Sequence, residues 1–176
     1  LQQAAKYLAE EIEYGINTYG KVLHPVYGWI YAYETDGFGN YNLMDDANVP
    51  SLLSIPYIGY RDVNDPMHQN TRRFILSNDN PYYKKGMFAK GVGSSHTPDG
   101  YIWHIGLIMQ ALTSNDEEEI KEILIMITNT HAGTGFMHES FHPDNPDKYT
   151  REWFAWANSL FAELVIKLSA KIERYI

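Results

Sequence analysis

The 176-residue chain contains no cysteine. That absence excludes a disulfide framework, a thiol nucleophile and any thiolate-bound zinc, and leaves the cellular compartment unidentified. Long apolar runs are missing too. The longest aliphatic stretch is Ile123 to Ile127, far short of the roughly 20 residues a helical membrane span requires. Basic residues are few, 14 against 22 acidic ones for a net charge of −8, and they never cluster beyond the pairs Arg72-Arg73 and Lys84-Lys85. A surface that tracks nucleic-acid phosphates is therefore not expected. Leu1-Gln2-Gln3 offers neither an initiator methionine nor a basic start followed by an apolar stretch. No signal peptide is expected on that ground, and the chain reads as beginning partway through a longer protein.

What the chain has in quantity is aromatic side chains, 14% of its residues as 14 Tyr, 7 Phe and 4 Trp. Many stand in Gly- and Asn-rich stretches, among them Tyr31, Tyr33, Phe38 and Tyr41. Loop packing explains this, and so does a sugar site, where aromatic faces stack on pyranose rings and carboxylates bind hydroxyls. With 44% hydrophobic residues, a chain of this length buries about 70% of its unfolded surface as a single domain.

Periodicity points to helices. Residues 1–14 place Ala4, Leu8 and Ile12 on one face and Glu10, Glu11 and Glu13 on the other, with Gly15 and Gly20 around the end. Val26 to Tyr33 reads as a short strand entering the turn Asp36-Gly37-Phe38-Gly39-Asn40. Pro50 suits the first turn of a helix over 51–60, and Asp65-Pro66 starts another that ends near Ser77. A loop or short strand is expected over 86–100.

Residues 101–112 are apolar nearly all round and predict a buried helix. After a capping box at Ser114-Asn115-Asp116-Glu117, the next segment keeps Ile120, Ile123, Leu124 and Ile127 on one side and charges on the other. A buried helix tightly joined to a half-exposed one is an inner–outer αα-hairpin. A last helix is expected over 150–175, with Trp153, Phe154, Ala157, Leu160, Phe161, Leu164 and Leu168 on a wide apolar face. Five or six helices in paired hairpins fit part of an α/α toroid, and equally a compact helical bundle.

Several constellations could carry chemistry. His138-Glu139-Ser140-Phe141-His142 is literally H-E-x-x-H, the zinc-peptidase spacing that sets two His on one helix face. Gly133 and Gly135 upstream and Pro143 immediately after oppose a helix there, and Glu163 as a third ligand has no supporting pattern. Glu139 also reads as a lone catalytic carboxylate, partly desolvated by Met137, His138 and Phe141. Asp45, Asp46 and Asn48 form a second polar cluster suited to sugar hydroxyls or a hard cation, although Asp46 or Asn48 is equally suited to cap a helix. The Gly-rich run Gly91 to Pro98 lacks the lysine of a phosphate loop, and His96 within it is a candidate hydroxyl ligand. His104 reads as a core histidine. No Gly-x-Ser-x-Gly elbow appears.

Four blocks resemble glycoside hydrolase family 125. They are Asp36 to Leu53; Gly91-Val92-Gly93-Ser94-Ser95-His96 with Ile102-Trp103; Met137-His138-Glu139-Ser140-Phe141; and Tyr149 to Asn158. The resemblance implies an (α/α)6 barrel and an exo-acting α-1,6-mannosidase with an inverting, metal-independent mechanism and no cofactor. It matches Glu139 to the general base, and it makes Asp45, Asp46, Asn48, His96, Trp103 and His138 candidates for shaping the pocket around a terminal mannose. The family's acid, an aspartate, lies upstream of the first block, and neither Asp45 nor Asp46 matches its motif. The resemblance thus implies that the whole chain, 1–176, is the C-terminal portion of one barrel domain, roughly its last half with short strands in its loops. A complementary N-terminal segment would supply the acid. A non-catalytic carbohydrate-binding fragment is the reading from another class.

Overall fold

A computed structural model of the chain describes residues 1–172. Five helices are present among them: α1 (Gln2–Tyr19), α2 (Pro66–Ile75), α3 (His104–Leu112), α4 (Glu117–Asn129) and α5 (Ala155–Ile172). Between them lie four antiparallel two-stranded hairpins: β1 (Lys21–His24) with β2 (Gly28–Tyr31), β3 (Glu34–Thr35) with β4 (Tyr41–Asn42), β5 (Tyr83–Lys85) with β6 (Lys90–Val92), and β7 (Ser140–His142) with β8 (Asn145–Thr150). The fold is helical, and its strands serve as loop furniture between the helices.

Helix α3 is the centre of the packing. Every residue from His104 to Ala111 is buried, and α3 packs against α4, α5 and β6. Gly106 has to be glycine here, because a Cβ would sit 2.9 Å from the Val92 carbonyl oxygen. Helix α4 is half-buried, with Ile120, Ile123, Met126 and Ile127 inward, so the expected inner–outer hairpin is formed. The main core joins Leu107, Ile108, Ile123, Ile127, Phe141 and Leu164. A second cluster joins Ile30, Leu53, Phe74, Ile75, Val92 and Met109, and Val49 and Leu160 pack against both.

Capping follows local chemistry. Asp65 caps α2 by accepting from the His68 amide at 2.9 Å. Asp116, rather than Ser114, caps α4, accepting from the amides of Glu118 and Glu119. Ser114 instead donates to the Glu119 side chain.

Glu119 also takes both of its oxygens to Arg72 Nη2 at 2.7 Å and accepts from Gln110 Nε2 at 2.7 Å. This network ties α2, α3 and α4 together. Burial acts to raise the Glu119 carboxyl, but Arg72, Ser114 and Gln110 outweigh it and hold the group below its ordinary value. The stability this contributes is present above the unfolded carboxyl value of about 4.3 and is lost as pH falls through the lower folded value. Arg72→Met strands a half-buried carboxylate, and the expected cost is about 3 kcal/mol at pH 7, shrinking as Glu119 protonates. Urea unfolding of both proteins at pH 7 and pH 3 checks this, and an equal loss at the two pH values would contradict it.

The helix spans depart from expectation in four places. Residues 51–60 form successive turns, not a helix: the Asp45 carboxylate takes the amides of Leu52 and Leu53, and Gly59 adopts φ +76°. Helix α1 runs through Gly15 to Tyr19, because a glycine inside a helix costs it only about 1 kcal/mol. Helix α3 begins at His104, since Ile102 is extended and bridges to Phe141. Helix α5 begins at Ala155, because Asn145–Thr150 is a strand and Arg151 sits at φ +44°. Trp153 and Phe154 therefore precede that helix. The end expected at Tyr175 lies outside the described residues.

Candidate active site

The β7–β8 hairpin delivers Glu139. Phe141 exchanges two backbone hydrogen bonds with Ile102, both 2.9 Å, which fixes the start of β7 to the segment leading into α3. The Glu139 amide donates to the Thr150 carbonyl at 3.2 Å. Its neighbours His138 and Ser140 are fully buried, while the Glu139 side chain keeps 13% exposure. Oε2 accepts from Thr150 Oγ1 at 3.1 Å and faces Arg151 Nε at 3.4 Å. Oε1 has no hydrogen-bond partner among the described residues.

Glu139 opens onto a cleft of about 650 Å³ walled by Trp103, Phe154 and Trp156, with Asn48, His96, Arg151 and Trp153 around it. Trp103 is anchored by its indole N–H to Thr97 Oγ1 at 2.8 Å and packs edge-on against Phe154, with ring centroids 6.0 Å apart. Trp153 and Trp156 are each more than half exposed. Such faces suit the apolar side of a pyranose, and the carboxylate, amide, imidazole and guanidinium groups suit its hydroxyls.

The sequence candidates divide in two. Asn48, His96, Trp103 and Glu139 come together on the cleft. Asp46 stands behind Asn48, accepting from its backbone amide at 2.8 Å and from Nδ2 at 3.3 Å, and it also accepts from Ser94 Oγ. Asp45 does not line the cleft. It is wholly buried, its carboxylate taken by the Leu52 and Leu53 amides at 2.9 Å and its backbone clamped by Asn80. Burial pushes its carboxyl up to about 7, against those two amide donors and assisted by the charge of Asp46.

His138 likewise does not line the cleft; it is fully buried and stacked on Tyr149 with centroids 3.9 Å apart. Its Nδ1 contacts the Glu152 carbonyl at 2.6 Å, so the proton sits on Nδ1, and Nε2 is a buried acceptor with no partner among the described residues. His104 is the core histidine expected. Burial pushes its ring down to about 3, and Nδ1 receives the His138 amide while Nε2–H meets Thr130 Oγ1.

The H-E-x-x-H spacing has no helix to act through, since Ser140–His142 is β-strand. Glu163 is taken by Tyr57 Oη at 2.8 Å and Lys167 at 2.6 Å on α5. Among the described residues no three His, Asp or Glu side chains are grouped to hold a metal ion. The sequence gives no site role to Arg151 or Trp156, and it places Trp153 and Phe154 on the apolar face of a helix rather than on a cleft. All four lie in the Tyr149–Asn158 block, but the left-handed turn at Arg151 that aims them carries no glycine or asparagine to announce it.

The chain spans about a third of the length of the relatives it matches. A curated Schizosaccharomyces pombe protein, "Meiotically up-regulated gene 157 protein", is 50% identical over 161 residues, which is 91% of this chain and 32% of that one. A solved structure from Streptococcus pneumoniae aligns with TM-score 0.89 at 52% identity, covering 93% of this chain and 38% of the other. That structure is a non-productive substrate complex with α-1,6-mannobiose, described with a new family of widely distributed metal-independent α-mannosidases that gives insight into the processing of N-linked glycans. Residues 1–166 match the family model "Metal-independent alpha-mannosidase (GH125)". By match, fold and the blocks around its cleft, the chain belongs to glycoside hydrolase family 125.

Proposed function

We propose that this chain is the base-bearing portion of an exo-acting α-1,6-mannosidase that inverts configuration without a metal. The observation that carries the reading is Glu139: a carboxylate held on one oxygen, free on the other, at the wall of an aromatic cleft. Family membership and the α-1,6-mannobiose bound to the pneumococcal relative supply the substrate class. Asn48, His96 and Trp103 bind the terminal mannose, Asp46 orients Asn48, and Asp45 and His138, buried and off the lining, support the walls.

Inverting hydrolysis needs an acid roughly 6.5–9.5 Å from the base. Glu139 is the one carboxylate among the described residues lining the cleft, so a complementary N-terminal segment supplies the acid and completes the (α/α)6 ring. Exposed apolar surface supports the same reading. Helix α1 buries none of its residues and exposes Tyr7, Leu8, Ile12 and Tyr14, and α5 exposes Trp156, Val165 and Ile166. The intact enzyme is then this chain together with that segment. The single carboxylate equally favours a second reading, in which the chain by itself binds mannosides without cleaving them.

Proton NMR of the sugar first released from an α-1,6-mannoside by the intact enzyme tests the stereochemistry. β-Mannose is expected before mutarotation, and initial α-mannose would overturn the inverting assignment.

A further inference from the structure

Glu139 has two chemically unequal oxygens, and the inequality has a structural source. Thr150 Oγ1 lies 3.1 Å from Oε2 and 2.7 Å from Ser140 Oγ. An ionised carboxylate only accepts, so Thr150 spends its single hydroxyl proton on Oε2. Ser140 must then donate to Thr150, which gives the distance between the two hydroxyls one direction: Ser140 O–H to Thr150 O–H to Glu139 Oε2. Ser140 is fully buried, so water does not compete at the inner end of this relay. Arg151 Nε stands on the same oxygen at 3.4 Å, and β7–β8 pairing holds Ser140 opposite Thr150.

We propose that Thr150, backed by Ser140, is a positioning residue that holds the Glu139 carboxylate by Oε2 and so leaves Oε1 as the oxygen that takes the proton from water. This rests on the reading of Glu139 as the base. In the step, a water O–H bond breaks and its proton goes to Oε1. The water oxygen bonds to the anomeric carbon, and the glycosidic C–O bond breaks as the leaving oxygen takes a proton from the carboxylic acid of the complementary segment. Neither Thr150 nor Ser140 exchanges a proton with substrate. Their contribution is orientation, and it appears in the chemical step rather than in binding.

The test compares Thr150→Val, Thr150→Ser, Ser140→Ala and Glu139→Gln in the intact enzyme, with initial rates on α-1,6-mannobiose. Valine keeps the β-branched shape that suits β8 and removes only the hydroxyl. A hydrogen bond to a charged group corresponds to a loss of about 10- to 100-fold in kcat, with KM within about twofold. Thr150→Ser restores most of the rate. Ser140→Ala costs about two- to threefold, because Thr150 can still donate.

Normal kcat in Thr150→Val, beside an inactive Glu139→Gln, would overturn the relay and leave the base assignment standing. A rise in KM at unchanged kcat would overturn it too, as would a loss that serine does not rescue. An active Glu139→Gln would overturn the base reading, and the relay with it.

Discussion

Glu139→Gln in the intact enzyme is expected to lower kcat by about 10²- to 10⁴-fold while leaving mannoside affinity within a few-fold. The side chains are nearly isosteric. The aromatic wall of Trp103 and Phe154 and the polar group at Asn48 do not depend on the charge at position 139, so the sugar is still held. What disappears is an acceptor for the proton of the attacking water. Stopped assays for kcat and calorimetric titration with α-1,6-mannobiose separate the two effects. A near-normal rate would remove Glu139 from the mechanism, and lost affinity with an unchanged rate would make it a binding group.

Phe141→Ala carries the largest expected cost to stability, about 3–5 kcal/mol out of the roughly 5–15 kcal/mol that holds a domain folded. The ring is completely buried in the main core and lies 4.6 Å, centroid to centroid, from that of His104. No neighbouring backbone is free to collapse into the space, because the strand at Phe141 is pinned on both sides: to Ile102 by two hydrogen bonds and to Tyr149 by β-pairing. The midpoint of thermal unfolding should fall by about 6–20 °C. Phe141→Leu should recover most of that loss.

The same substitution loosens the hairpin that carries Glu139 and Thr150, so kcat should fall at temperatures where the protein is still folded. A calorimetric scan beside an activity profile checks both expectations. Full activity up to an unchanged midpoint would contradict this account of how the core positions the base.

These dependencies explain what the sequence alone could disclose. Helices α3 and α4 were legible because burial writes itself into the chain: α3 is apolar all round and α4 on one side only. Asp65 before Pro66 announced a cap that needs nothing beyond its own helix. The stretch 51–60 is not legible in the sequence, because its conformation depends on a carboxylate from Asp45, outside the segment, and propensity is silent about such a partner. Strand β8 has no local signal over most of its length, because Asn145-Pro146-Asp147-Lys148 carries none of the β-branched residues of a core strand. It is a half-exposed strand, where proline is tolerated at an edge, and it is held by pairing with β7.

The site divides in the same way. The block around Glu139 makes it a candidate, as position within matching blocks makes Asn48, His96 and Trp103, and the structure places all four on one cleft. The distinction between Asp46, one layer behind the cleft, and Asp45, buried under the turn, is tertiary and leaves no trace in the local sequence. Arg151 is the clearest case, since a non-glycine residue in the left-handed region is stabilised only by surroundings that assemble when the protein folds.

In the proposed function, Glu139 is one half of a metal-independent, two-carboxylate mannosidase site whose other half a complementary segment would supply. The most direct test of that reading is mannose release from α-1,6-mannobiose in the presence of a chelator, measured on this chain alone and on the intact enzyme. The account predicts release by the intact enzyme and none by the folded chain alone. Release by the chain alone, or loss of the intact enzyme's activity to the chelator, would contradict it.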